Sequence, residues 1–206
     1  MQWQEQLAAF YQKRWDAVSD NVGSSRVDQT VVTDTPLEAK RDHPLMIVGE
    51  APGGEEVRLG RPFVGPAGRN LKTLLEMAGL DRTRDLLVTN GFPFRTFTAT
   101  ENGVKNRTPD AKELALGADL LAREIRIVQP RMILLLGGSA KRAASYLPFP
   151  GWKAAIRSAP NHSITPLPPV QDLPPLSLGV TFHTSPLVYN IPAKRQALEQ
   201  FFRRLG

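Results

Sequence analysis

The feature that most constrains this chain is a short apolar strand that leads directly into two glycine-rich loops. Residues 45–48 (Leu-Met-Ile-Val) predict a buried strand of a parallel sheet. The loops that follow, 49–56 and 60–68, combine glycines with three glutamates and one phenylalanine. Glycines let a backbone approach a ligand closely, and such a loop at the carboxyl end of a strand suits a planar polar ligand. A plain strand-to-helix connection would explain the glycines but not the concentrated charge or the aromatic ring.

Apolar strands alternate with amphipathic helices along the rest of the chain. The pattern predicts strands at 45–48, 86–89, 132–136 and 178–182, and helices over 2–18, from about 66 to 79, from 108 to 128, after 137, and over 190–205. This alternation predicts an α/β fold, namely a three-layer α/β/α sandwich around a central, mainly parallel four-stranded sheet.

The length of 206 residues fits a single domain over 1–206. Within it, residues 1–44 form an N-terminal helix and a connector, 91–107 a long loop, and 148–177 a proline-rich, irregular insertion. Thr108 is expected to cap the following helix, with Pro109 at its first position.

Composition excludes several classes of chemistry. The sequence contains no cysteine, so disulfides, thiol catalysis and cysteine-ligated zinc or iron–sulfur centres are excluded. The net charge of +6 is compatible with a polyanionic partner. No apolar run reaches the ~18 residues of a membrane span, and the polar N-terminus has no signal-peptide pattern. These features predict a cytoplasmic protein without a membrane partner.

Candidate site residues follow three of the predicted strands. Because ligands bind at the carboxyl ends of parallel strands, the loops should converge into one cleft containing Glu50, Glu55, Glu56, Phe63, Asn90 and His183. A phenyl ring offers a stacking surface. An amide can pair with the amide–imide edge of a pyrimidine. An imidazole can donate to a developing oxyanion, and a carboxylate can position water or stabilise a cationic sugar.

Each candidate also has a plain structural interpretation. Asn90 could be a turn residue, Phe63 a core residue, His183 a packed histidine and the glutamates a solvated face. The 91–107 loop, with its arginines, lysine and aromatic residues, could contact phosphates and bases or be an ordinary solvated loop. The convergence of several such residues at strand ends favours a ligand site. No dinucleotide-binding or P-loop motif is present.

Several segments resemble the uracil-DNA glycosylase superfamily, in the version of its family 4, the iron–sulfur type. The first motif of that family is similar to residues 49–53 together with 60–65. Residues 88–90 (Val-Thr-Asn), 106–109 (Asn-Arg-Thr-Pro) and 183–187 (His-Thr-Ser-Pro-Leu) resemble later motifs, in the expected order. The resemblance extends over roughly residues 45–205.

The resemblance implies specific roles. Phe63 would stack on a base flipped out of the duplex, Asn90 would read its Watson–Crick edge, and His183 would donate to the pyrimidine O2 as negative charge develops. Glu50 or Glu56 would supply a catalytic carboxylate.

Further residues would contact DNA or the base. Leu187 would fill the gap left in the duplex, and Ser185 would contact DNA beside it. Arg95 and Arg107 would contact phosphates. Ala51 would lie in the substrate pocket, at the position where the best-known members of the superfamily carry a water-activating aspartate, which family 4 also lacks.

The chain departs from family 4 in one major respect. That family ligates an iron–sulfur cluster through four cysteines, whereas Phe94 and Gly117 occupy two of the corresponding positions here. The protein is therefore expected to use no cofactor and no metal, and the structural role of the cluster must pass to apolar packing or be lost. Thr184 also replaces a common proline.

The resemblance implies a DNA glycosylase that hydrolyses the N-glycosidic bond of uracil in base-excision repair. Its partner would be DNA containing uracil or another deaminated base, and the protein would act as a monomer. Two alternatives stay open. One is a glycosylase of the same fold for hypoxanthine or xanthine, and the other is a non-catalytic DNA-binding or damage-sensing homologue.

Overall fold

The computed structural model describes residues 2–23, 26–101 and 103–206. Its helices are α1 (Gln2–Gln12), α2 (Gly54–Leu59), α3 (Pro66–Met77), α4 (Arg82–Asp85), α5 (Ala111–Val128), α6 (Gly137–Ala144), α7 (Trp152–Ser158), α8 (Pro186–Tyr189) and α9 (Pro192–Arg203). Its strands are β1 (Val27–Asp28), β2 (Leu45–Gly49), β3 (Leu86–Asn90), β4 (Arg95–Thr100), β5 (Gly103–Asn106), β6 (Met132–Leu136), β7 (Ser163–Pro166) and β8 (Ser177–Thr181).

The central sheet has the strand order β3-β2-β6-β8-β7. The first four strands are parallel and coincide with the four predicted from the sequence, which confirms the α/β fold and the mainly parallel sheet. Gly49 at the end of β2 lies beside Asn90 at the end of β3. The glycine-rich loop that follows β2 and the loop that follows β3 therefore begin side by side.

Alternating residues of the strands pack against helices on the two faces of the sheet, which gives the predicted three layers. In β2, Met46 and Val48 belong to a core cluster with α1, α5, α6 and α7, whereas Leu45 and Ile47 belong to a second cluster with α3 and α9. The period of two along a strand places successive side chains on opposite faces. A continuous apolar run is thus buried on both sides.

The sheet contains a fifth strand, so the prediction of four was wrong by one. β7 pairs antiparallel with β8 at the edge of the sheet and lies in the 148–177 segment, which the sequence analysis treated as irregular. That segment also contains α7, whose Trp152 and Ile156 are buried in the core. Pro166 obscured the strand, but an edge position tolerates proline because one side of the strand needs no donors.

The 91–107 segment is a β-hairpin rather than a loop. β4 and β5 pair antiparallel, and β1 pairs with the other edge of β4, so that these strands form a small second sheet. The residues of β4 alternate between β-branched and other side chains, which favours a strand. The charges of the segment had masked this pattern.

Helix ends also differ from the sequence prediction. The N-cap of α5 is Asp110 rather than Thr108, and its side chain accepts a hydrogen bond from the amide of Glu113 at 3.0 Å. The Glu113 carboxylate in turn accepts a hydrogen bond from the Asp110 amide, which completes a capping box. The N-terminal helix ends at Gln12 instead of continuing to residue 18.

Among the described residues, none of the helices combines the length and the apolar character needed to cross a bilayer. The assignment of residues 1–206 to one domain stays a prediction.

Candidate active site

The carboxyl ends of β2, β3 and β8 surround a cavity of about 320 Å³. It is lined by Glu50, Ala51, Pro52, Gly53, Glu56, Phe63, Ala67, Asn90, Asn106, Arg107, Thr108 and His183. The structure therefore brings together all the catalytic and base-binding candidates of the sequence analysis. Arg95, Ser185 and Leu187 are outside the lining, and Glu55 is exposed and paired with Arg58.

Asn90 and Phe63 pack against bare backbone at the bottom of this cavity. A Cβ atom on Gly49 would lie 2.6 Å from Asn90 Oδ1 and 2.7 Å from the Phe63 ring, so only glycine fits. Asn90 is 7% exposed, its side chain makes no hydrogen bond within the described residues, and it lines the cavity. The amide is therefore available to a ligand.

Phe63 has an unusual backbone conformation. Its φ of 51° lies in the left-handed region. This conformation costs a non-glycine residue about 1–3 kcal/mol and persists only where surrounding contacts enforce it. Its carbonyl group packs on Gly68, where a Cβ would lie 1.8 Å from the carbonyl oxygen. The loop geometry therefore directs the Phe63 ring toward the pocket, 6.2 Å from the His183 ring centre.

The Glu56 carboxylate links the two glycine-rich loops. Its Oε2 accepts from the amide of Gly53 at 3.1 Å, and its Oε1 accepts from the amides of Val64 and Gly65 at 3.1 and 3.0 Å. Bonds from backbone N–H groups to an ionised carboxylate are among the stronger hydrogen bonds in proteins. These three bonds occupy Glu56 in holding the loop of Phe63.

The Glu50 side chain differs from that of Glu56 in having no hydrogen-bond partner among the described residues. Its side chain is only partly buried and lines the cavity directly. Its negative charge also acts on His183, whose pKa it raises against the larger effect of burial. Of the two glutamates that the sequence analysis nominated, Glu50 is thus the carboxylate free to face a ligand.

The proton of neutral His183 is fixed by its own loop. The backbone N–H of Ser185 donates to His183 Nδ1 at 3.1 Å, so Nδ1 is the acceptor and Nε2 carries the hydrogen. Burial lowers the pKa of His183, with Glu50 opposing the shift. The imidazole is therefore held neutral at pH 7, with one N–H to donate. Gly137, with a φ of 89°, makes room for the loop that carries His183. A Cβ atom at residue 137 would lie 2.8 Å from His183 Cβ.

Hydrogen bonds from α3 anchor the loop that carries His183. Asn70 Nδ2 donates to the Thr184 carbonyl at 2.8 Å, and Thr184 Oγ1 donates to the Ala67 carbonyl at 2.9 Å. The threonine at this position thus contributes a hydrogen bond that a proline side chain could not make. Leu187, beyond this anchor, is 88% exposed. Sequence reasoning missed Asn70 because nothing local marks a bond across 114 residues.

The two arginines of the hairpin region have protein partners. Arg107 forms a two-pronged ion pair with Glu113, with Nη1 donating to Oε2 at 2.7 Å, and this bond raises the Arg107 pKa. Arg95 Nε donates to Asn106 Oδ1 at 2.8 Å, which orients the Asn106 amide at the cavity wall. Sequence reasoning missed Asn106 as a lining residue, although it begins the quoted Asn-Arg-Thr-Pro segment. Lys105 is exposed.

The residues present do not fit the iron–sulfur cluster of family 4. Phe94 is fully buried in a cluster of apolar side chains, which we call the apolar plug: Val18, Val27, Phe92, Phe94 and Leu120, with Phe10, Trp15, Val22 and Leu116 packed around them. The rings of Trp15 and Phe92 meet Phe94 edge-on at 5.0 and 5.8 Å. At Gly117 a Cβ would lie 2.2 Å from the Gly91 carbonyl oxygen, so α5 packs directly on backbone.

Comparisons with known proteins give matches over much of the chain. The family model of the Uracil DNA glycosylase superfamily matches residues 36–206. A type-4 uracil-DNA glycosylase of Pyrobaculum aerophilum is 39% identical over 102 residues, which is 50% of this chain and 48% of that protein. One of Thermotoga maritima is 38% identical over 103 residues, half of each chain, and one of Saccharolobus solfataricus is 35% identical over 113 residues, 54% of this chain and 47% of that protein.

The chain thus spans about half the length of the curated relatives it matches. The family model extends much further than these pairwise matches and includes every strand of the central sheet. The protein belongs to the Uracil DNA glycosylase superfamily.

Proposed function

We propose that this protein is a DNA glycosylase that removes uracil from DNA by hydrolysing its N-glycosidic bond, the first step of base-excision repair. One observation carries the proposal: a ring, an unpaired amide and a fixed imidazole N–H, from Phe63, Asn90 and His183, surround one base-sized cavity. Relatives that carry the name type-4 uracil-DNA glycosylase support it.

The chemistry follows from these groups. A base within a duplex is out of reach, so it is flipped into the pocket at a cost of a few kcal/mol. There Phe63 stacks on it and the Asn90 amide pairs with its donor–acceptor edge. As the bond from C1′ to N1 breaks, its electrons move to the base, and His183 Nε2–H stabilises the charge at O2. Water adds to C1′, and its proton finally neutralises the base.

The remaining assignments rest on accessibility. Glu50 faces the cavity with a free carboxylate, so we assign it, rather than Glu56, to the water or the cationic sugar. Ala51 contributes a small wall residue. Exposed Leu187 enters the duplex in place of the base, with Ser185 beside it. We further propose that the protein acts as a monomer on intracellular DNA, because Phe63, Asn90 and His183 of a single chain suffice for the proposed chemistry.

Arg95 and Arg107 are proposed to shape the DNA-binding surface indirectly. Both are held by side chains of the protein, so Lys105 of the same hairpin is the more accessible phosphate contact.

The test is base release from oligonucleotides that contain one uracil, hypoxanthine or xanthine, or no damage, in single and double strands. Release from uracil alone is expected. Preferential release of hypoxanthine or xanthine would assign another base to the pocket. DNA binding without any release would indicate a damage-sensing homologue.

Asn90→Ala tests the basis of recognition. Loss of a buried hydrogen-bonding partner costs about 1–3 kcal/mol, so the variant should excise uracil more slowly and discriminate less between bases. Asn161→Ala, at an exposed turn, is the matched control and should behave as wild type. Unchanged preference in a folded Asn90→Ala protein would show that Asn90 is only a structural residue at the end of β3.

A further inference from the structure

One partly buried arginine, Arg82, holds the loop of Phe63 in addition to Glu56. Arg82 Nη1 donates to the Phe63 carbonyl at 3.0 Å, and its Nη2 donates to the Pro62 carbonyl. The two consecutive carbonyls are thereby fixed by one planar group, a geometry that a guanidinium supplies and a lysine does not. Glu56 holds the next two amides, those of Val64 and Gly65.

Arg82 is held in turn by the N-terminal connector. Asp34 Oδ1 lies 3.2 Å from Arg82 Nη2, and Asp34 Oδ2 lies 2.9 Å from Lys40 Nζ. The side chains of Asp34 and Lys40 are each only 1% exposed. Lys40 Nζ also donates to the Arg82 carbonyl at 3.3 Å. Asp34 thus pairs with both cations, and the buried charges of Asp34 and Lys40 are paired with each other, as buried charges must be.

The same aspartate is tied to the sheet that carries Asn90. The backbone N–H of Val88 in β3 donates to Asp34 Oδ2 at 3.1 Å. β3 is the edge strand of the central sheet, so this bond satisfies a donor that no neighbouring strand can reach. Asp34 therefore connects the strand that presents Asn90 with the arginine that holds the Phe63 loop.

We propose that Arg82 is a positioning residue for Phe63, and that Asp34 and Lys40 fix Arg82 for this role. The inference rests on the proposed function, because it assigns to Phe63 the stacking of the base. It also brings the N-terminal connector into the site, since Asp34 lies outside residues 36–206 that match the family model. A purely structural network would clamp the connector to the sheet without acting on Phe63.

A double-mutant cycle separates these roles. Single-turnover excision is measured for Arg82→Met, Phe63→Ala and the double variant. Misplacing a positioned group can cost up to about 100-fold in rate, so Arg82→Met should slow wild type by about 10-fold or more. If Arg82 acts through Phe63, the same change should cost about twofold or less when the ring is already absent.

Arg14→Met is the matched control. Arg14 is more deeply buried than Arg82, with side chains 1% and 24% exposed. It pairs with Glu124 at 2.8 Å and makes no bond to the loop of Phe63. Its effect on the rate should therefore be the same with or without Phe63. Equal losses from Arg82→Met in both backgrounds would overturn the proposal.

Hydrogen exchange gives a readout that does not depend on activity. In Arg82→Met the amides of Val64 and Gly65 should exchange faster, while that of Leu134 in the central strand β6 should not change. Arg82→Lys should restore most of the melting temperature but not the slow exchange at 64–65, because one ammonium cannot hold two carbonyls. Wild-type exchange at those amides in Arg82→Met would overturn the proposal. If wild type released no base, the proposed function would fail while the exchange result still decided the positioning role.

Discussion

The chain that leaves β3 contributes to two regions of opposite character within five residues. Asn90 faces the polar cavity, whereas Phe92 and Phe94 are fully buried in the apolar plug. In the cavity, hydrogen bonds and bare backbone at Gly49 fix the groups, and several polar atoms are left free for a ligand. In the plug only shape and volume matter. Changes in the cavity should therefore affect rate, and changes in the plug should affect stability.

Phe94→Ala should give the largest loss of stability. Removing a fully buried phenylalanine costs about 3–5 kcal/mol of unfolding free energy, and urea denaturation would measure it. The excision rate per folded molecule should stay close to that of wild type. Phe97→Ala in the hairpin, where the ring is only partly buried, is the control with a much smaller loss.

Two measurements test whether apolar packing takes the place of a metal cluster. If elemental analysis of purified wild type found stoichiometric iron and sulfide, or if Phe94→Ala were as stable as wild type, the structural role of the apolar plug would be wrong.

His183→Ala is the complementary change in the cavity. Removing one preorganised donor to a developing oxyanion costs on the order of 100-fold or more in rate, with a smaller effect on ground-state affinity. Single-turnover excision should drop accordingly, while DNA affinity and the melting curve stay near wild type. His43→Ala, an exposed histidine that contacts the Gln129 carbonyl, should leave the rate unchanged. Full activity in a folded His183→Ala protein would remove this residue from the mechanism.

The two glutamates of the cavity should also differ, with Glu56 affecting stability and Glu50 affecting rate. Glu56→Gln keeps one oxygen acceptor but loses the charge that three amides share, so it should destabilise the protein by about 1–3 kcal/mol. Glu50→Gln should leave the melting temperature unchanged and slow excision by tenfold or more, about 1.4 kcal/mol in the barrier. The reverse pattern, with Glu56→Gln stable but inactive, would show that Glu56 is the catalytic carboxylate.

The sequence predicted the centre of the fold well because local pattern and burial agree there. The four parallel strands are apolar runs buried on both faces, and parallel strands place their loops at one edge. That geometry alone predicts that Glu50, Phe63, Asn90 and His183 share one cavity. The motifs at the same positions independently implied the family.

What the sequence missed depends on contacts between distant segments. The bonds from Arg82 to Asp34 and from Asn70 to Thr184 cross 48 and 114 residues, and no periodicity marks them. The hairpin and β7 are short elements outside the parallel strands of the central sheet, in charged or proline-rich stretches where composition resembles a loop. Arg107 resembled a phosphate contact because its partner, Glu113, lies in the next helix.

Salt dependence should distinguish the free and the paired cations of the hairpin region. Neutralising phosphates releases counterions, so DNA affinity should fall steeply as salt rises. Lys105→Ala should reduce the slope of log affinity against log salt by about one unit, because Lys105 is exposed. Arg107→Gln should change stability more than this slope, since Glu113 already occupies the guanidinium. A flat salt dependence in wild type would argue against a nucleic-acid substrate.

The smallest expected effect is on stability below neutral pH, and it again separates the two regions. Burial lowers the pKa of His183 in the cavity, and burial together with Arg204 lowers that of His162 beside β8, whereas the apolar plug contains no titratable group. As pH falls below the ordinary histidine pKa of about 6.5, the unfolded chain takes up protons before the folded protein does, so stability decreases until the folded pKa is passed.

Melting temperatures between pH 7.5 and 5 should show this decrease in wild type and equally in Phe94→Ala. It should shrink in His183→Asn and in His162→Asn, where asparagine tolerates the positive φ of 60° at residue 162. An unchanged pH dependence in both histidine variants would show that neither imidazole is held neutral by burial, and with it the donor role of His183 Nε2–H in the neutral ring would lose its basis.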